Sequence, residues 1–155
     1  MISKLTFVLA AFVSVATPAL AQDREVPYWA TLRASEINLR VGPSADYRIE
    51  WVYRRPGLPV KVIRVMNGWR LIEDPDGTRG WVASRLLSPD LGVIVTGKEN
   101  AAVHEDADGS SHIKWRLQPG VVGALNECSE GWCEIAVGNR RGWVKANRLW
   151  GDGEP

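Results

Sequence analysis

The chain has 155 residues, with 19 Lys and Arg against 18 Asp and Glu, a formal net charge of +1 at pH 7. That balance, and the lack of any basic run longer than Arg54-Arg55 or Arg140-Arg141, excludes the basic footprint of a nucleic-acid binder. The length allows one domain of average size or two very small ones.

Residues 1–21 read as an export signal. Lys4 gives a short positive start, Leu5–Ala16 is apolar and uncharged, and Ala19-Leu20-Ala21 fits a small-x-small cleavage site before Gln22. The apolar run, about twelve residues, is shorter than the roughly twenty that span a bilayer. No cysteine stands at the cut to carry a lipid. The mature chain is therefore expected to be periplasmic or secreted, with no stable membrane anchor after cleavage. A retained membrane anchor or a buried helix is the alternative.

Residues 22–33 form a polar lead-in, pinned by Tyr28-Trp29. Ile37–Val41 then alternates apolar and polar residues, which is the period of a half-buried strand, and Gly42-Pro43 ends it in a turn. Ile49–Tyr53 alternates again and is rich in β-branched and aromatic residues. Pro56-Gly57 marks a turn, and Val60–Met66 is the strongest strand pattern in the chain. Asn67-Gly68 is a favoured hairpin turn, with Trp69–Ile72 as the return strand. Asp74–Gly77 turns once more, Gly80–Val82 is a short strand, and Ala83–Leu87 closes the unit with one helical or 3₁₀ turn. No long helical period occurs. The fold class is all-β.

The unit then repeats. Ile49-Glu50-Trp51 matches Ile113-Lys114-Trp115, Pro56-Gly57 matches Pro119-Gly120, and Asn67-Gly68-Trp69 matches Glu130-Gly131-Trp132. Arg79-Gly80-Trp81-Val82 matches Arg141-Gly142-Trp143-Val144, and Arg85-Leu86 matches Arg148-Leu149, with offsets between 62 and 64 throughout. The units are placed at 34–88 and 92–150. A unit of about sixty residues buries only about 60% of its unfolded surface and is marginal alone. The junction Ser88–Gly92 is too short for a flexible tether, so the two copies are expected to touch.

The ordered set Asn38-Leu39-Arg40-Val41-Gly42-Pro43-Ser44, Gly57, Asn67-Gly68-Trp69 and Gly80-Trp81-Val82 resembles the bacterial SH3 domain family. The resemblance implies a small, partly open β-barrel per copy and a non-catalytic role, and with the short junction the expected fold is two tandem SH3-like barrels packed against each other. Modules of that family often target cell-wall peptides or accompany wall hydrolases. The second copy departs from the pattern: Ala102-Val103-His104-Glu105-Asp106-Ala107 replaces the Arg-Val-Gly-Pro loop and its lead-in.

The second copy also gains Cys128 and Cys133, which flank the turn matching Asn67-Gly68. Flanking residues of a hairpin face each other at about 4.5–5.5 Å between Cβ atoms, within adjustment of a disulfide. In an oxidising compartment the pair should close, contributing at most about 2 kcal/mol. A zinc site with His104 and His112, or free thiols, are the alternatives. No metal and no other cofactor is expected.

The eight tryptophans fall into matched pairs, Trp51 with Trp115, Trp69 with Trp132 and Trp81 with Trp143, leaving Trp29 and Trp150 unmatched. Matched tryptophans are expected mainly to pack, since a few large aromatics supply much of a small core. Residues 22–90 carry ten Arg against the single Lys61. These suggest Arg–acid and Arg–Trp contacts on the surface, with a carboxylate-binding groove as the alternative. His104 is expected on a solvated acidic surface beside Glu105-Asp106, and Glu73-Asp74 in an exposed turn. Neither the histidines nor the serines form a nucleophile–base set. The candidate ligand residues are Arg40, Tyr47, Trp51, Tyr53 and Trp69, all in the first copy. The expected function is a binding module for cell-wall (peptidoglycan) peptides. The alternative is a periplasmic protein–protein adaptor docking on a hydrolase or another envelope partner.

Overall fold

The structure, a computed structural model, describes residues 24–155, so the expected export signal at 1–21 lies outside the described residues. The alternating runs of the first copy are strands β1 (Tyr28–Leu32), β2 (Ile37–Arg40), β3 (Ile49–Tyr53), β4 (Pro59–Met66), β5 (Trp69–Glu73), β6 (Arg79–Ala83) and β7 (Leu87–Ser88). A 3₁₀ turn at Ser84–Leu86 closes the unit. The second copy supplies β8 (Gly92–Val95), β9 (Ala101–His104), β10 (Ile113–Leu117), β11 (Val122–Ser129), β12 (Trp132–Val137), β13 (Arg140–Lys145) and β14 (Leu149–Trp150), with its 3₁₀ turn at Ala146–Arg148.

The strand orders are β3-β2-β6-β5-β4-β1-β7 and β10-β9-β13-β12-β11-β8-β14. Moving each strand of the first order seven places along the chain gives the second, so the sequence repeat is a repeat of topology. The strand pairings are antiparallel, and each sheet coils around its own apolar core as an SH3-like barrel. Leu32, Ile37, Leu39, Val60, Val62, Ile72 and Val82 fill the first. Val93, Val95, Val103, Ile135 and Val144 fill the second. Tyr28–Leu32, read in sequence as lead-in, pairs with β4 on one side and β7 on the other. Ala30 and Leu32 point into the core, and the strand covers an edge of β4 that would otherwise stay unpaired.

The Gly of each Gly-Trp-Val segment has a packing cause. A Cβ at Gly80 would lie 2.5 Å from Leu39 Cγ, and one at Gly142 2.5 Å from Val103 Cγ1. The strand crossing above needs the space.

The hairpin turns differ between copies. Asn67 (φ 43°) and Gly68 (φ 80°) both take left-handed backbone, the conformation an Asn-Gly turn accepts with least strain. In the second copy Glu130 (φ 50°) and Gly131 (φ 82°) make the same turn, although a glutamate is ill suited to it. Cys128 and Cys133, direct partners in the β11–β12 register, are disulfide-bonded across this poorer turn. Reduction is expected to lower stability by about 2 kcal/mol. Urea unfolding with and without reductant measures it, and the Cys128→Ser/Cys133→Ser double variant should ignore the reductant.

The copies meet along a tight seam. Ile94 of β8 is only 9% exposed because its side chain joins the core of the first copy, where Val122 and Trp150 also pack. A Cβ at Gly92 would lie 2.7 Å from Thr31 Cγ2 and 2.8 Å from the Gly57 carbonyl oxygen, so only glycine lets the two backbones approach. The two unmatched tryptophans face each other here: Trp29 and Trp150 meet edge to face, 4.6 Å between ring centres. Trp29 Nε1 also donates to the Gly153 carbonyl at 3.0 Å, and Arg55 Nη1 donates to the Gly120 carbonyl at 2.9 Å.

Candidate functional site

On β3 the pleat puts Trp51 and Tyr53 on one face, opposite Leu39 and Ile37 of β2. Tyr53 reaches the core. Trp51 overhangs its rim and is 59% exposed, against the expectation that matched tryptophans pack. Both line a groove of about 630 Å³ with Glu50, Arg54, Arg55, Asp74, Asp76, Thr78 and Ile94 among its walls. Arg40 and Trp69 lie elsewhere, in a recess of about 120 Å³ with Asn38 and Arg85. Tyr47 lines neither. It is 49% exposed, and its ring lies against Gly42, where an added Cβ would sit 2.6 Å from the ring. The Arg40 guanidinium donates to the Tyr47 carbonyl at 2.6 Å, so it is used in holding its own loop. The five candidate residues thus divide between two places and a loop. A further cleft of about 540 Å³ follows the seam past Gly57, Gly92 and Gly123.

The groove is shaped by one buried carboxylate. Asp74, 7% exposed, accepts the Tyr53 hydroxyl at 2.9 Å on Oδ2 and the backbone N–H groups of Asp76 (3.0 Å) and Thr78 (2.8 Å) on Oδ1. The Asp-Pro-Asp-Gly turn is wound around that side chain, as aspartate at the head of a turn favours. This corrects the reading of Asp74 as exposed. Burial foremost, then the hydrogen bond to Asp74 and the charges of Asp74 and Asp76, push the Tyr53 phenol well above its ordinary value. Glu73 next to it faces Arg79 at 2.6 Å and Lys61 at 3.7 Å. The Arg79 hydrogen bond holds its carboxyl below the usual range. On the rim, Arg54 pairs with Glu36 at 3.2 Å. These are the Arg–acid contacts that the arginine content suggested.

In the second copy the corresponding rings are covered. Trp115, the match of Trp51, has Lys114 Nζ 5.5 Å and the Arg140 guanidinium 6.0 Å from its centre. Trp132, the match of Trp69, is buried beneath His104 (edge to face, 5.2 Å), Lys145 (5.7 Å) and Gly109, whose Cβ would fall 2.7 Å from the ring. The loop that brings Gly109 there is tied by Asp108. Its carboxylate accepts from Ser110 N (2.9 Å), Ser110 Oγ (2.8 Å) and Ser111 N (3.1 Å). These bonds, the Ser110 hydroxyl first, hold its pKa low. His104 is therefore not on a solvated surface; it is half-buried against Trp132, its Nδ1 3.2 Å from the Ser111 carbonyl. Leu117 stands in place of Tyr53, and the two-residue turn Gly138-Asn139 replaces the Asp74–Thr78 turn. The open aromatic groove belongs to the first copy.

Sequence reading missed Asp74, Thr78 and Ile94 as groove residues. The Asp-Pro-Asp-Gly run carried a signal for Asp74, since an aspartate there binds the following N–H groups. Nothing local marked Ile94. Cys128, Cys133 and Asp152 come within 4.8 Å of one another at their ligating atoms, but the sulfurs are joined to each other and offer no thiolate.

The bacterial SH3 domain profile matches residues 33–89 and again 97–151. YrvJ of Bacillus subtilis (strain 168), which its name assigns as an N-acetylmuramoyl-L-alanine amidase, is 24% identical over 156 aligned positions. That alignment takes in 92% of this chain but spans only 29% of YrvJ. Solved structures of NlpC2 and NlpC1 from Trichomonas vaginalis align at 10% identity, with TM-scores of 0.37 and 0.36. They cover 83% and 87% of this chain and 49% and 50% of theirs, and at those scores the likeness bears no weight. Two profile matches in register with two barrels of one topology place this chain in the bacterial SH3 domain family, with two copies in tandem.

Proposed function

We propose that the chain is an exported, non-catalytic module that binds cell-wall peptide through the groove of its first copy. The observation that carries this reading is Trp51, a large aromatic left 59% exposed over a formed groove while its counterpart Trp115 is capped by the chain itself. An exposed aromatic beside a polar rim is the usual anchor of a binding surface. The likeness to a protein named as an amidase of N-acetylmuramoyl-L-alanine supports the wall as the place of the ligand. The export pattern at 1–21 and the Cys128–Cys133 disulfide agree with a site outside the cytoplasm.

Retention on purified wall sacculi tests the reading. The full chain should co-sediment with sacculi, and Trp51→Ala should lower retention about tenfold or more with its unfolding midpoint nearly unchanged. Failure of the unsubstituted chain to co-sediment would reject wall binding and turn the search to a protein partner.

A further inference from the structure

We infer that the Trp51 groove receives a cationic group of its ligand, a primary ammonium on a peptide. The inference deepens the function proposed above by stating the ligand's chemistry. Its basis is a comparison the chain makes with itself. At Trp115 two cations of the same protein lie over the ring, Lys114 Nζ at 5.5 Å and Arg140 at 6.0 Å, both within the range where a ring's π face attracts positive charge. Lys114 is also fixed by donating to the Arg141 carbonyl at 3.1 Å.

The strand registers say what stands at those two positions in the first copy. Trp51 faces Leu39 as Trp115 faces Val103, so Glu50 occupies the place of Lys114. Glu73 pairs with Arg79 as Ala136 pairs with Arg141, so Thr78 occupies the place of Arg140. A cation has become an anion, and the other a neutral hydroxyl. Among the described residues, the cation–ring contacts fall on Tyr28, Trp29, Trp115 and Trp132, and none on Trp51.

The charges around the open ring favour the same ligand. Glu36, Glu50, Asp74 and Asp76 stand on or beside the groove against Arg54 and Arg55. Arg54 is paired with Glu36, and Arg55 is directed to the Gly120 carbonyl across the seam. Glu50 is left beside an uncapped indole. The open ring stands in the register of a cation site without the chain's own cations over it.

The test uses the full ¹⁵N-labelled chain, with the Trp51 and Trp115 indole N–H signals assigned through Trp51→Phe and Trp115→Phe. The probe is the capped tripeptide Ala-Lys-Ala, compared with the same peptide acetylated on its lysine nitrogen. The Trp51 signal should shift with the free ammonium, while acetylation weakens binding about tenfold and the Trp115 signal stays still. Glu50→Lys and, separately, Thr78→Arg restore a cation of the second copy's kind and should each weaken binding by a similar factor. Equal binding of the acetylated peptide, indifference to both variants, or a shift centred on Trp115 would overturn the inference. Sacculi acetylated on their amines separate the two readings. Undiminished retention leaves wall binding standing and removes the ammonium. A Trp51 shift with the lysine peptide, without retention on any sacculi, does the reverse.

Discussion

Ile94→Ala is expected to destabilise the first copy by about 3 kcal/mol, although residue 94 belongs to the second. Its backbone pairs with Val122 and Trp150 inside the second sheet, while its side chain fills the first barrel's core. Truncation leaves a cavity in the neighbouring barrel, and a barrel of about sixty residues has little stability to spare. The two copies should unfold as one unit in the native chain, with near-UV and far-UV signals giving a single urea midpoint. In Ile94→Ala that midpoint should fall, and the two signals should part as the first copy melts before the second. A loss below about 1 kcal/mol, or one confined to the second copy, would contradict a shared core.

Asp74→Ala should cost about as much, roughly 3 kcal/mol, by a different route. The substitution leaves the Tyr53 hydroxyl and the N–H groups of Asp76 and Thr78 without their acceptor at a site 7% exposed. Asp74→Asn keeps an oxygen acceptor for the Asp76 and Thr78 N–H groups and can turn its amide N–H to the Tyr53 oxygen, so it should lose less. Alkaline pH probes the same contact. The folded chain holds the Tyr53 proton at a pH where the unfolded chain releases it, so this group stabilises the fold fully below the ordinary tyrosine value of about 10. That stability drains away as pH rises further. Tyr53→Phe should be less stable than the native chain near neutrality yet show a flatter decline above pH of about 10. Urea midpoints across that range decide it, and an equally steep decline in Tyr53→Phe would assign the alkaline loss elsewhere.

Much of the fold was legible because period and turn chemistry are local. Asn67-Gly68, the alternation in Val60–Met66 and the repeated Gly-Trp-Val state their conformation within a few residues. What stayed hidden depended on partners distant in the chain. Tyr28–Leu32 looked like a lead-in because its strand character comes from the open edge of β4, not from its own pattern. Trp29 and Trp150 had no counterparts in the repeat because they serve the seam, which the repeat does not contain. At the candidate site, Trp51 and Trp115 sit in equivalent strands and differ in exposure. The cause is at positions 50 and 78, where Glu and Thr replace Lys and Arg; only the β5–β6 register shows that Thr78 and Arg140 correspond. Tyr53 lines the groove, but its buried partner is twenty-one residues away, in a turn whose composition reads as solvent-exposed.

The hydrogen bond from Trp29 to Gly153 has a topological meaning. The described chain leaves the double barrel beside the point where it enters, so its path is nearly a ring. Joining those ends with a short linker would close a loop whose ends already touch, at little entropic cost. The chain could then be opened at Asn67-Gly68 or at Gly138-Asn139, tight turns where an added Cβ at the glycine would meet nothing. On this geometry the order of the strands along the chain can be permuted without moving either barrel.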